Sequence, residues 1–273
     1  MRSNILLTSA VVTWVLTMPS AGFGQGLIFH LPEDFTGVEY KGEVEYVAVR
    51  DDLEDGKEII RKERELTIKS VGREDAEFEG TIQPCRWIEI KIVTGDEGAA
   101  GIDPGPVGSR IYKVLVPESK VIAEPADSTE VPNIMLPIVK GYRRSGEAEV
   151  RQITGNAMGI YPTICQLMNY PDPEVIAEAE TPQTRATNLS FSARHLRGQM
   201  TMERPESQTI SDAHYWVSRE VPFGLARWEV TVVRKKKESA APRDSFTEVS
   251  TTKSTMSVSR VIPNAESELV TAQ

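Results

Sequence analysis

Cysteine and histidine are scarce in this 273-residue chain, which has two of the first and three of the second. His30, His195 and His214 are scattered, with no H-E-x-x-H pattern and no paired-cysteine spacing, which speaks against a zinc centre. No metal or other cofactor is expected. Cys85 and Cys165 are either one bridge or two buried thiols packing as small apolar groups. A bridge would close a loop of ~80 residues and contribute about 4 kcal/mol in the chain-entropy description. Long apolar runs are also missing. Beyond residue 24 nothing approaches the roughly 20 residues that cross a bilayer, so a soluble mature chain without a membrane span is expected. Positive charge is in deficit, with 31 Lys and Arg against 40 Asp and Glu. That balance argues against nucleic acid and anionic lipid surfaces as partners, since both need a basic footprint.

What is present begins with an address. Arg2 precedes the apolar run Ile5 to Leu16 (ILLTSAVVTWVL), followed by Pro19 and the small residues Ser20, Ala21, Gly22 and Gly24. This is the layout of a secretory signal peptide over residues 1–24, and it predicts a periplasmic or extracellular protein. Cleavage would remove one basic and no acidic residue, so the net charge of −9 becomes −10.

Period-two alternation dominates the remainder. In GVEYKGEVEYVAV, Val38, Tyr40, Val44 and Tyr46 fall on one face and Glu39, Lys41, Glu43 and Glu45 on the other. KEIIRKERELTIKSV, AEFEGTI, RWIEIKIVT and SRIYKVLV continue the pattern, and Ile88, Ile90 and Ile92 share a face. Such alternation is characteristic of antiparallel sheets with one solvated face. Residues 125–172 break the rhythm with proline-punctuated apolar segments, and short helices are expected over 132–144 and 162–170. The expected fold class is therefore α+β, mainly β: a curved antiparallel sheet with a small helical insertion packed on one face. A single β-rich domain would cover 25–238. Residues 239–273, rich in Ser and Thr, read as a flexible carboxyl segment with an edge strand over 245–262 and disorder after Pro263.

The most legible stretch is HYWVSREVPFGLARWEVTVVRKKK, His214 to Lys237. Pro222 and Gly224 fit a type I turn over Val221–Gly224. A three-residue loop would set Val221 against Leu225 and place Trp216 and Trp228 on one shared face. A one-residue shift in register would send them to opposite faces.

Catalytic signatures are weak. Asp51–Gly56 lacks the ligand positions of a calcium loop, with Leu53 and Lys62 where oxygen ligands belong. The glycine-punctuated stretch 95–108 is acidic and has no lysine to meet phosphate. No G-x-S-x-G elbow is present.

The Trp–Val221-Pro222-Phe223-Gly224-Leu225–Trp hairpin resembles the closing hairpin of certain uncharacterised exported bacterial proteins. These are similar to the periplasmic lipoprotein-carrier-like fold, a curved antiparallel sheet with helices in its concave side. The resemblance implies the fold and no catalytic residue. The resulting expectation is an exported, non-enzymatic binding or structural protein, whose partner is an apolar small molecule or another exported protein. As a carrier of lipid or another apolar ligand, it would line its site with Trp216, Trp228, Ile88, Ile90 and Ile92. An enzyme whose site is assembled from distant residues is the remaining alternative.

Overall fold

The computed structural model describes residues 28–99, 101–121, 136–155, 157–158, 165–168, 170, 172–185 and 188–269. The expected signal peptide lies outside them. The strands are β1 (Thr36–Val49), β2 (Lys57–Phe78), β3 (Thr81–Gly98), β4 (Gly101–Asp103), β5 (Arg110–Pro117), β6 (Leu136–Pro137) and β7 (Lys140–Ser145). They continue with β8 (Arg151–Gln152), β9 (Ala157–Met158), β10 (Glu174–Glu180), β11 (Ala193–Arg204), β12 (Ser207–Val217), β13 (Leu225–Lys236) and β14 (Thr247–Pro263). One 12-stranded antiparallel sheet runs in the order β10-β11-β12-β13-β14-β1-β2-β3-β5-β7-β8, with β4 paired to β3. It curves without closing into a barrel.

The alternation read from sequence sets the faces. Val38 and Tyr40 of β1, Leu66 and Ile68 of β2, and Ile88, Ile90 and Ile92 of β3 all point inward and are buried. The pairings Tyr40–Leu66, Leu66–Ile92 and Ile68–Ile90 put them in continuous rows across the sheet. The rows run on through Val114 of β5 on one side, and through Met256 and Val258 of β14 and Trp228 of β13 on the other. All belong to a single core cluster.

Two segments fill the inner face. Ile28 and Phe29 enter from the amino-terminal side, where the Phe29 amide donates to Phe223 O at 2.8 Å. Gly224 is forced to be glycine here: its φ is 92°, and a Cβ would sit 2.6 Å from that of Phe29. Cys165, Leu167 and Tyr170 form the second plug. The Tyr170 ring lies so close over Gly198 that a Cβ there would come within 2.2 Å of it, and its hydroxyl meets Ser211 Oγ at 2.9 Å.

Several expectations need correction. The first proposed helix begins outside the described residues, and its described part, 136–144, contains β6 and most of β7. Alternation was masked there because these strands are only two and six residues long. The second helix lies partly outside as well, and 165–168 and 170 are irregular chain. The only α-helix among the described residues is one turn, Glu118–Val121.

The carboxyl segment also departs from expectation. β14 is a central strand, hydrogen-bonded to β13 on one side and β1 on the other. Beyond it the chain crosses the outer face of β2 and β3, where Ala265 and Leu269 are buried. Glu89, 1 % exposed, accepts hydrogen bonds from Ser267 Oγ (2.7 Å), Glu268 N (2.9 Å) and Leu269 N (3.1 Å). Lys69 lies 3.4 Å from Glu89 and 2.6 Å from Glu268, and Lys91 lies 2.7 Å from Glu268.

Candidate functional site

The hairpin β12–β13 decides where a site lies. The Val221–Gly224 turn forms, with Gly224 N donating to Val221 O at 2.9 Å, but Phe223 has φ 67° where a type I turn needs a negative value. It is also not the end of the hairpin. Val217 pairs with Leu225, Trp216 with Arg227 and Tyr215 with Trp228, so the connection is the longer loop 218–224. Val221 and Phe223 plug into the core from it. The two tryptophans therefore face opposite sides of the sheet. Trp228 is fully buried against Tyr40, ring centroids 5.0 Å apart, whereas Trp216, 7 % exposed, lies on the opposite face.

The five residues first considered as ligand-lining are consequently not brought together around an opening. Ile88, Ile90, Ile92 and Trp228 are packed in the core, and Trp216 lies on the other face. Cys85 and Cys165 are free, buried thiols: of the two alternatives, the structure has the unbridged one. Burial raises both thiol pKa values, which keeps them protonated and inert.

An opening does exist on the inner face, beyond the Tyr170 plug. There the row Met200–Ser211–Val232–Thr252 is only partly covered, with Ser211 and Val232 buried and Met200 partly exposed, and the next row is Met202–Thr209–Arg234–Ser250. These rows floor a groove of ≈ 530 Å³, walled by Gln166 and Met168. That volume falls in the range of small-molecule pockets, about 300–1,000 Å³. Three of its lining side chains are methionines, flexible and polarizable enough to shape themselves to an apolar guest. The row through Met200 continues sideways to Tyr46 and Ile60, both more than a third exposed. Gln166 adds a polar feature. Its φ of 59° is left-handed, and its amide oxygen is buried without a hydrogen-bond partner among the described residues. Left-handed non-glycine residues concentrate at ligand clamps and switch regions.

The outer face holds a second constellation. Glu180 Oε2 lies 2.8 Å from His195 Nδ1, and His195 Nε2 lies 2.9 Å from His214 Nδ1. The His195 ring stacks on Trp216 at 4.2 Å, and the Arg227 guanidinium sits 5.3 Å from the same tryptophan ring. Asp212, beside His214, is held by Arg197 at 2.7 and 3.1 Å. No serine or cysteine hydrogen-bonds to this chain of groups among the described residues, so it has a histidine beside a carboxylate but no nucleophile.

Burial, then the neighbouring His195 and Arg197 charges, push the His214 pKa below its ordinary 6.5. The folded protein thus resists a proton that the unfolded chain accepts, and stability rises with pH wherever the unfolded state binds more protons. Urea midpoints are expected to fall as pH drops below about 6.5, and to fall less in His214→Gln. Equal pH slopes in the two proteins would contradict this placement of His214.

No protein-family model matches the chain, and no curated protein matches it. The molecule is defined by its own geometry: a mainly β, antiparallel sheet with a plugged inner face and one open, methionine-lined end.

Proposed function

We propose that this is an exported, non-enzymatic binding protein that carries an apolar small molecule in the groove between the 166–168 segment and strands β11 to β14. The observation that carries this reading is the partly covered stretch of the inner face. Met200 and Met202 there continue the buried core rows past Val232 but are themselves only partly buried. Water over such a surface is displaced favourably by an apolar guest, at roughly 25 cal/mol per Å² of apolar area covered. Export follows from the amino-terminal sequence. The lipoprotein-carrier-like likeness belongs to the same proposal, since a curved sheet partly covered on its inner side is what that architecture uses.

The test is Met200→Glu, which sets a carboxylate on the groove floor at a partly exposed position. Native mass spectrometry of the wild type, recovered from its own compartment and then extracted with organic solvent, is expected to show a bound apolar species. The variant, folded by circular dichroism, is expected to be empty. A wild type that carries nothing, or a species retained undiminished by the variant, would overturn the reading. The second reading, an enzyme, draws on the Glu180–His195–His214 chain alone, and its lack of a bonded nucleophile places it second.

A further inference from the structure

We infer that the groove selects a single-chain amphipath with an anionic head, a carboxylate or comparable anion; this rests on the groove being the binding site. The inference comes from how charge is distributed around it. Arg234 lines the groove in the row of Met202, and Arg204 lines it one row further along. Arg204 stands in register with Ser207 and Lys236, so the next row on this face ends in a third cation. Among the described residues none of the three has a carboxylate partner. The one acid at the rim, Glu203, is already engaged by Arg243 at 2.8 Å and Gln208 at 3.3 Å.

The groove therefore changes character along its length. Met168 and Met200 present apolar surface at one end, Met202 shares its row with the Arg234 guanidinium, and Arg204 stands at the other end. Arginine presents a planar fork of donors that matches a carboxylate or phosphate edge in a bidentate way. A neutral apolar molecule would leave these cations unused, and a cationic amphipath would meet them head-on. A groove of ≈ 530 Å³ suits one chain and not a diacyl lipid.

The experiment is calorimetric titration of the full mature protein with three probes of equal chain length: dodecanoate, dodecanol and dodecyltrimethylammonium, each below its micellar concentration. Dodecanoate is expected to bind about tenfold more tightly than dodecanol, equivalent to about 1.4 kcal/mol. The cation is expected to bind most weakly, and the preference for the anion should shrink with added salt. In the Arg204→Gln/Arg234→Gln double variant, dodecanol affinity should be unchanged and the dodecanoate advantage lost. Equal binding of dodecanoate and dodecanol by the wild type would overturn the anionic head while leaving the groove intact. So would an advantage that survives in the double variant. Failure of all three probes to bind would overturn the groove reading itself.

Discussion

Trp228→Ala is expected to destabilise the protein by about 3–5 kcal/mol, whereas Trp216→Ala, twelve positions away in the same hairpin, should cost about 1–2 kcal/mol. The difference follows from the faces. Trp228 is the largest fully buried side chain, held edge-on against Tyr40 and opposite Met256 in the next strand. Its truncation leaves a cavity in the centre of the sheet that neighbouring strands cannot close. Trp216, 7 % exposed on the opposite face, is covered by polar groups, stacked on His195 and beneath Arg227, and part of what its loss costs is regained by solvating them. Urea denaturation of the two variants measures both. Similar losses would contradict the weaker hold of the polar cover of His195 and Arg227 on Trp216.

Removal of the Glu89 carboxylate is the second large effect. Glu89→Ala should cost about 3 kcal/mol, because it deletes a buried carboxylate and leaves Lys69 with Glu268 as its remaining ion-pair partner. It also takes the acceptor from Ser267, Glu268 and Leu269 at once. Glu89→Gln, which keeps one acceptor oxygen, should cost less. Amide hydrogen exchange adds a local readout: residues 267–269 should be protected in the wild type and exchange freely in Glu89→Ala.

Acid should act on the same clasp. Burial tends to raise the Glu268 pKa, but hydrogen bonds from Lys69 and Lys91 outweigh it and hold the carboxyl below its ordinary 4.5. Its contribution is present above the unfolded value and is lost as pH falls through the depressed folded one. Unprotected amides at 267–269 in the wild type at neutral pH would contradict the docked carboxyl segment.

The sequence made the strands legible wherever inward and outward residues alternate. Leu66 and Ile68, and Ile88, Ile90 and Ile92, point inward because their neighbours Glu65, Thr67, Glu89 and Lys91 are polar. Alternation does not reveal what covers the other face. Lys69 and Glu89 read as solvated positions, yet both are buried beneath the carboxyl segment. β14 was hidden for a related reason. Its inward face includes small polar residues, and Ser254 is buried between Val44 and Val230. A central strand built this way has a Ser/Thr-rich composition that resembles a linker.

The hairpin failed differently. Pro222 and Gly224 mark a real local turn, but the burial of Val221 and Phe223 draws that turn into the core, and the pairing closes earlier, at Val217 and Leu225. Of the candidate site, no residue was anticipated. Met200 and Met202 lie in GQMTMER, where they alternate with Gln199, Thr201 and Glu203. Whether the inward-facing methionines end up covered depends on how far the 165–170 segment reaches, a distance that spacing along the chain does not encode.

The most direct test of the central claim is nuclear magnetic resonance of the mature protein, with methionine methyl groups labelled, during titration with dodecanoate. The account predicts saturable shifts at Met168, Met200 and Met202, with little change at Met256, which is buried beneath Trp228. Shifts centred on Met256, or none at the three groove methionines, would contradict it.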